Sequence, residues 1–162
     1  MDIEGFRREV RAIIDSDRII ESPIELALYS YDASPAEEAL PSMVIQPTST
    51  REVSEILKLA NKYLVPIVPS AGRTSLHGGP IPYGGAVVLD LMRMNKVIEV
   101  KVDDGYTLVE PGVRIDELNA ELARYGHFFP PDPASSMSAT VGGAIANGAG
   151  GMRGAKYGTV KD

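Results

Sequence analysis

The sequence predicts an α+β fold, with a small α/β lobe of parallel strands followed by an antiparallel hairpin. An apolar segment, an amphipathic helix and a second apolar segment follow one another over residues 43–68, the pattern of a parallel strand–helix–strand unit. Residues 86–91 form a third apolar segment that only Asp90 interrupts. Within residues 97–110, two strand-like segments flank Asp103-Asp104-Gly105, a sequence typical of a hairpin turn.

The other elements of the first half follow from hydrophobic spacing. Apolar residues at helical spacing predict a helix over residues 2–15, and short apolar runs predict a strand or turn at 18–21 and a helix near 24–30. The helix inside the strand–helix–strand unit begins at a capping box of Ser49 and Glu52. Its expected apolar face consists of Val53, Ile56, Leu57, Ala60, Tyr63 and Leu64.

After the hairpin, a further helix is expected from Ile115 to Tyr125, where Gly126 ends it. Val141 and Ile145 also lie at helical spacing. Residues 157–162 resemble the start of a strand, whose edge would need a partner from a longer sequence or another chain.

Composition excludes several classes of protein. The 162 residues contain 44% hydrophobic residues but no apolar run of membrane-spanning length. The acidic N-terminus lacks a signal-peptide core, and the absence of cysteine fits a cytoplasmic location. A net charge of −6 without a basic stripe argues against nucleic acid, and two distant histidines predict no metal site.

Residues 132–158 are rich in glycine and poor in side-chain volume. They contain seven of the sixteen glycines: Gly142, Gly143, Gly148, Gly150, Gly151, Gly154 and Gly158. Such a backbone can approach a flat or charged ligand closely. A flexible linker is the alternative, but the helical spacing of Val141 and Ile145 disfavours it.

A second small-residue loop, residues 69–79, follows the strand at 65–68. Carboxyl ends of parallel strands are where α/β folds bind ligands. Successive N–H groups from Ala71 to Ser75 could bind a pyrophosphate. Arg73 is either a cation for that phosphate or a solvated loop residue, and both interpretations stay open. His77 is expected to be a polar loop side chain.

Two common phosphate-binding motifs are absent. A GxGxxG motif would need glycine where Arg153 stands, and GxxxxGK occurs nowhere. Two small-residue loops about sixty residues apart remain, and together they suit an elongated dinucleotide such as FAD.

The motifs YDASP, PTSTREV, VPSAGRTSLHGG, VVLDLMRMNKV, VEPGV and FFPPDPASS, followed by ATVGGAIANGAGGMRGAKYG, occur in this order. From about Tyr31 to Asp162 the chain resembles the FAD-binding domain of vanillyl-alcohol-oxidase-type (PCMH-type) flavoproteins, and is most similar to the glycolate oxidase large subunit and D-lactate dehydrogenase group. The resemblance implies a helical extension at 1–40, an α/β lobe with its hairpin at 41–111, and the start of a mostly antiparallel second lobe at 112–162. FAD would be held between the lobes, and the domain would continue past Asp162.

The resemblance also implies which residues bind FAD. The expected cofactor-binding residues are Ser70, Ala71, Gly72, Arg73, Thr74, Ser75, Pro131, Asp132, Ser138, Thr140, Gly142, Gly143, Asn147, Gly150, Gly151 and Tyr157. The family's first loop usually reads Pro-Arg-Gly-x-Gly-Thr-Gly, so Ser70, Arg73 and Ser75 are departures. Members that attach flavin covalently place a histidine near position 73; His77 is out of that register, so noncovalent FAD is expected.

The expected function is the FAD-binding part of a flavin-dependent 2-hydroxy acid oxidoreductase, in which hydride passes from the substrate α-carbon to FAD. The alternatives are a non-catalytic FAD- or nucleotide-binding module that needs a partner chain or a C-terminal domain, and a truncated remnant without cofactor. Catalytic residues are unassigned, and the 162 residues alone are expected to be inactive.

Overall fold

The structure is a computed structural model that describes residues 1–162. The chain forms two compact units. The first comprises residues 1–70 and 75–93, and the second comprises residues 71–74 and 94–162. The longest helix has 14 residues, and none of the helices could span a bilayer.

The first unit contains three α-helices, three 3₁₀ helices (Ser16–Arg18, Tyr83–Gly85 and Leu91–Arg93) and one four-stranded sheet. Its elements are α1 (Ile3–Val10), β1 (Ile19–Ile20), α2 (Pro23–Ala27), β2 (Met43–Ile45), α3 (Thr50–Tyr63), β3 (Ile67–Ser70) and β4 (Val87–Asp90). The strand order is β1-β2-β4-β3, in which β2, β4 and β3 run parallel and β1 pairs antiparallel with β2. The predicted strand–helix–strand unit is present, but β4 lies between its two strands.

The core of the first unit lies around the inner strands β2 and β4. All residues of both strands are buried, as expected for parallel strands, which are covered on both faces. Phe6 and Val10 of α1 and Ile56 of α3 complete the same apolar cluster. The Asp2 N–H also donates to the Tyr63 carbonyl oxygen at 3.0 Å, which joins the start of α1 to the end of α3.

Two helix predictions needed correction. The first helix ends at Val10 rather than near residue 15, although Ile14 in the following turn is still buried. Leu57 and Leu64 do not belong to the buried face of α3, because both are exposed. Leu64 has a left-handed φ of 54° and lies just beyond the helix end, where the helical period no longer applies.

The α3 capping box forms with one change of partner. The Glu52 N–H donates to Ser49 Oγ at 3.3 Å, as predicted. The Glu52 carboxylate accepts from the Thr48 N–H at 2.7 Å, one residue before the expected donor. It also pairs with the largely buried Arg18 at 2.8 Å, a partner from a segment more than thirty residues away.

The second unit contains a hairpin and three helices. Its elements are β5 (Val97–Lys101), β6 (Tyr106–Val109), α4 (Ile115–Ala123), α5 (Val141–Asn147) and α6 (Gly154–Tyr157). The predicted hairpin is antiparallel, and Gly105 has a φ of 70° in its turn. Val113, Leu118, Leu122 and Val141 form one buried cluster, and Ile115, Ala139 and Ala144 form a second.

The prediction of a strand at residues 157–162 is wrong. Helix α6 ends at Tyr157, and Gly158 has a φ of 79°, which an extended strand does not tolerate. The Asp162 carboxylate accepts from the Thr159 N–H at 2.7 Å and closes a local turn. A side chain that binds the nearby backbone competes in this way with strand pairing.

Candidate cofactor-binding site

The first predicted loop begins where β3 ends. Ser70 is opposite Asp90 in the parallel pairing of β3 with β4. The residue is 5% exposed, and its Oγ has no hydrogen-bond partner in the chain. Buried hydroxyl groups are normally paired, so this atom is one that a ligand could satisfy.

Residues 71–74 leave the sheet as irregular backbone with unused donors. The backbone N–H groups of Ala71, Gly72 and Thr74 donate to no other group of the chain. Arg73 has a φ of 50°, and a non-glycine residue in this left-handed region is uncommon. A run of free N–H groups around a left-handed residue can bind an anion.

Gly72 lies directly against the second glycine-rich stretch. A Cβ atom at this position would stand 2.2 Å from the carbonyl oxygen of Ser138. No side chain fits there, so the close approach of the two backbones requires glycine. The second unit therefore brings together two predicted site residues that are 66 positions apart in the sequence.

The N–H groups around the start of α5 are all used inside the chain. Val141 donates to the Val113 carbonyl at 2.8 Å, and Gly142 donates to the Pro111 carbonyl at 3.0 Å. The Gly143 N–H donates to Oγ1 of the buried Thr140 at 3.2 Å. These three N–H groups already donate to acceptors within the chain, so they are not free to bind a ligand.

The two glycines of α5 differ in their surroundings. A Cβ on Gly142 would stand 2.6 Å from Cβ of Pro111, so this glycine permits packing inside the unit. A Cβ on Gly143 would meet only Thr140 Oγ1, at 3.2 Å, and Gly143 is exposed. Its open side is a glycine surface on which a flat ligand could lie.

Asp132 organises the segment after α5. Its N–H donates to the Gly150 carbonyl at 3.0 Å, and it forms a parallel bridge with Gly151. Its carboxylate accepts from the Arg153 N–H at 2.9 Å. Gly151 has a φ of 128°, and its Cβ would stand 2.2 Å from the Asp132 carbonyl oxygen. The predicted residues Asp132, Gly150 and Gly151 thus form one local structure.

An aromatic pair lies beside this structure. The ring of Tyr157 meets the ring of Phe128 edge to face, with centroids 5.6 Å apart. The guanidinium of Arg153 lies 5.1 Å from the Phe128 centroid. Sequence reasoning missed Phe128, although the FFPPDP motif contains it. Of the other predicted residues, Pro131 is buried, whereas Ser138 and Asn147 are exposed.

Sequence reasoning assigned no role to Asp90, and the structure gives it several partners. It lies at the carboxyl end of β4 and is buried. Its carboxylate accepts from the Tyr29 hydroxyl at 2.8 Å, from Gln46 Nε2 at 3.0 Å and from the Met92 N–H at 3.0 Å. The sequence feature that could have drawn attention to Asp90 is its position, as a charged residue at the end of an otherwise apolar strand.

Asp32 is a second buried carboxylate of the first unit. It accepts from the backbone N–H and hydroxyl of Ser34 and from the Gly78 N–H at 3.0 Å. Burial opposes its ionisation, but these hydrogen bonds outweigh burial and lower its pKa. His77, in the same loop, is exposed.

These observations define a cofactor-binding α+β domain, and comparisons identify its family. A family model described as FAD binding domain matches residues 41–162. Glycolate oxidase subunit GlcD of Bacillus subtilis (strain 168) is 40% identical over 135 residues, which are 83% of this chain and 29% of that protein. The mitochondrial D-lactate dehydrogenase (cytochrome) of Arabidopsis thaliana is 42% identical over 123 residues, which are 76% of this chain and 21% of that protein.

Solved structures agree with this assignment. An alkyldihydroxyacetonephosphate synthase structure has a TM-score of 0.90 at 26% identity and covers 100% of this chain, which corresponds to 32% of that protein. A structure of p-cresol methylhydroxylase with bound substrate has a TM-score of 0.74 at 25% identity, over 91% of this chain and 30% of that chain.

The chain belongs to the FAD-binding domain family, and FAD is the cofactor of this domain. The family resemblance and the α+β fold class predicted from the sequence are confirmed. The chain spans less than a third of the length of the curated relatives described above.

Proposed function

We propose that this chain is the FAD-binding part of a flavin-dependent oxidoreductase that acts on a small D-2-hydroxy acid. The relatives named glycolate oxidase subunit and D-lactate dehydrogenase support this substrate class. FAD is bound noncovalently, because covalent members of the family place a histidine near position 73, where this chain has Arg73, and His77 is out of that register. The protein is cytoplasmic, a location that the lack of cysteine fits.

The main support for the proposal is that the hydrogen-bond donors of the first loop, residues 70–75, suit a pyrophosphate. Ser70 has a buried hydroxyl without a partner, and Ala71, Gly72 and Thr74 have free N–H groups. Their donors suit an anion with many acceptor oxygens. Arg73 adds charge at the same loop and Ser75 a hydroxyl, so residues 70–75 bind the pyrophosphate of FAD.

The glycine-rich stretch contributes a surface rather than donors. Because the N–H groups of Val141, Gly142 and Gly143 are occupied, this region contacts FAD through close packing. The residues assigned to this contact are Pro131, Asp132, Ser138, Thr140, Gly142, Gly143, Asn147, Gly150, Gly151 and Tyr157.

The flavin ring, when bound, supplies the acceptor for the hydride that leaves the substrate α-carbon. The residues of this chain bind the cofactor and orient it, and none of them is assigned a catalytic step. The 2-hydroxy acid is a partner of the complete protein.

The test is titration of the purified chain with FAD, followed by flavin fluorescence and calorimetry. We expect one FAD per chain and a visible flavin spectrum. Acid precipitation should release the flavin into the supernatant, as it does for noncovalent FAD. A folded chain that binds no FAD would overturn the proposal, and flavin that stays with the precipitate would overturn the noncovalent assignment.

A further inference from the structure

The Asp32 carboxylate joins two segments that are far apart in the sequence. It lies in the YDASP motif, where it accepts two hydrogen bonds from Ser34. It also accepts from the Gly78 N–H at 3.0 Å. Its residue is 8% exposed, so a buried charge receives donors from both segments. A buried carboxylate satisfied in this way is a strong anchor.

The loop that follows Thr74 has few other attachments. Residues 75–79 form neither helix nor strand. The His77 N–H donates within the loop, to Ser75 Oγ at 3.2 Å, and the Gly78 carbonyl accepts from the nearby Ile81 N–H at 3.2 Å. The hydrogen bond that ties the loop to a distant segment therefore goes to Asp32.

Gly78 lies close to the same segment. It has a φ of 72°, and a Cβ atom there would stand 3.2 Å from Cβ of Ala36. Residues 32–36 and 75–78 therefore pack together around one carboxylate. If that carboxylate is lost, the N–H donor of Gly78 loses its acceptor.

We propose that Asp32 is a positioning residue for the cofactor loop. Its carboxylate accepts from the Gly78 N–H and thereby restrains the segment that directly follows the donors of residues 71–74. This inference rests on the proposed FAD function. A loop held in its binding conformation loses less conformational freedom when ligand binds, so the anchor strengthens binding without contact to the ligand.

The direction in which FAD affinity changes in an Asp32 variant distinguishes a positioning role from simple electrostatic repulsion. FAD carries a negatively charged pyrophosphate. Removal of the Asp32 charge by Asp32→Asn should therefore tighten FAD binding if only long-range repulsion matters. Asparagine keeps the size of the side chain but replaces one acceptor oxygen with an NH₂ donor. If Asp32 positions the loop, the same substitution should weaken binding.

The matched control is Glu52→Gln. Glu52 is also a largely buried carboxylate of the first unit, and its hydrogen bonds with Arg18 and Thr48 likewise lower its pKa. It lies at the start of α3 and has no hydrogen bond to residues 70–79. The two variants remove comparable buried carboxylates, and only one of them touches the cofactor loop.

The experiment has two readouts on the full chain. Amide hydrogen exchange without FAD should be faster at Gly78, whose N–H donates to Asp32, in Asp32→Asn and unchanged there in Glu52→Gln. Titration with FAD should give a Kd about tenfold higher for Asp32→Asn, the size expected from one lost charge-assisted hydrogen bond. The Kd of Glu52→Gln should match the unsubstituted chain, even where its melting temperature falls.

Each outcome decides one question. Unchanged loop exchange, or equal or tighter FAD binding by folded Asp32→Asn, overturns the positioning role. Failure of the unsubstituted chain to bind FAD overturns the proposed function instead, while exchange still decides whether Asp32 anchors the loop. If Asp32→Asn does not fold, Ser34→Ala removes one donor to Asp32 and keeps the charge. The Ser34→Ala substitution should then raise the Kd for FAD a few-fold, and an unchanged Kd would overturn the proposal.

Discussion

The loop at residues 71–75 and the helix start at residues 140–144 are both built from small residues, yet they use their backbones in opposite ways. In the loop, the N–H groups of Ala71, Gly72 and Thr74 donate to nothing in the chain. At the helix start, Val141, Gly142 and Gly143 all donate to acceptors of their own unit. A run of small residues therefore shows that a backbone is accessible, but not that its donors are free.

The glycines of the two regions also differ in purpose. Gly72 and Gly142 have no room for a Cβ because they press against Ser138 and Pro111. Gly143 has an open face. The fold already requires glycine at Gly72 and Gly142, whereas a requirement for glycine at Gly143 would have to come from a ligand. Substitutions can separate these roles.

The largest effect is expected for Gly72→Val. The new Cβ would stand 2.2 Å from the Ser138 carbonyl oxygen, so the loop must move. We expect a loss of about 3 kcal/mol in unfolding free energy, the range for overpacked sites, together with loss of FAD binding. Urea unfolding and FAD titration measure both. Gly154→Ala is the control, since its Cβ would meet open space, and a stable, FAD-binding Gly72→Val would show that the loop is not seated on Ser138.

Gly143→Val should abolish FAD retention with a smaller loss of stability. The valine Cβ would meet only Thr140 Oγ1 in the chain, at 3.2 Å, while the branched side chain would cover the exposed face proposed for FAD. Thermal unfolding should remain cooperative, and the visible spectrum of the purified protein should lack flavin bands. Undiminished FAD affinity in the folded variant would remove this face from the site.

Arg73→Ala should weaken FAD without preventing its binding. A charge-assisted hydrogen bond to phosphate contributes on the order of 1–3 kcal/mol, which corresponds to a rise of about 5- to 150-fold in Kd. Titration at low and high salt would show a smaller salt dependence in the variant if the guanidinium meets the pyrophosphate. Equal Kd values for a folded variant and the unsubstituted chain would make Arg73 a residue without a role in FAD binding.

The smallest change in the free energy of unfolding is expected for Thr140→Ala, which tests whether the Gly143 N–H at the start of α5 is bonded within the chain. It removes the acceptor of the Gly143 N–H, and loss of a threonine N-cap costs about 1 kcal/mol. Chemical denaturation should detect this loss, and Thr140→Ser, which keeps the hydroxyl, should recover most of it. No difference between alanine and serine would mean that the cap does not stabilise α5.

The sequence by itself determined the local features of this protein. Apolar runs predicted β2 and β4, Ser49 predicted the start of α3, and Gly105 predicted the hairpin turn. The order of its motifs identified the FAD-binding family. Each of these signals acts within a few residues, because strand propensity, helix caps and tight turns depend on near neighbours in the chain.

Tertiary structure decided the features that join distant segments. Only the folded chain shows that β4 lies between β2 and β3, and that Leu57 faces outward. The tertiary structure also decides that the Asp32 carboxylate accepts from the Gly78 N–H, and that the Gly142 N–H donates to the Pro111 carbonyl oxygen. Whether a backbone donor is free depends on which acceptor packs beside it, and that acceptor can come from any part of the sequence.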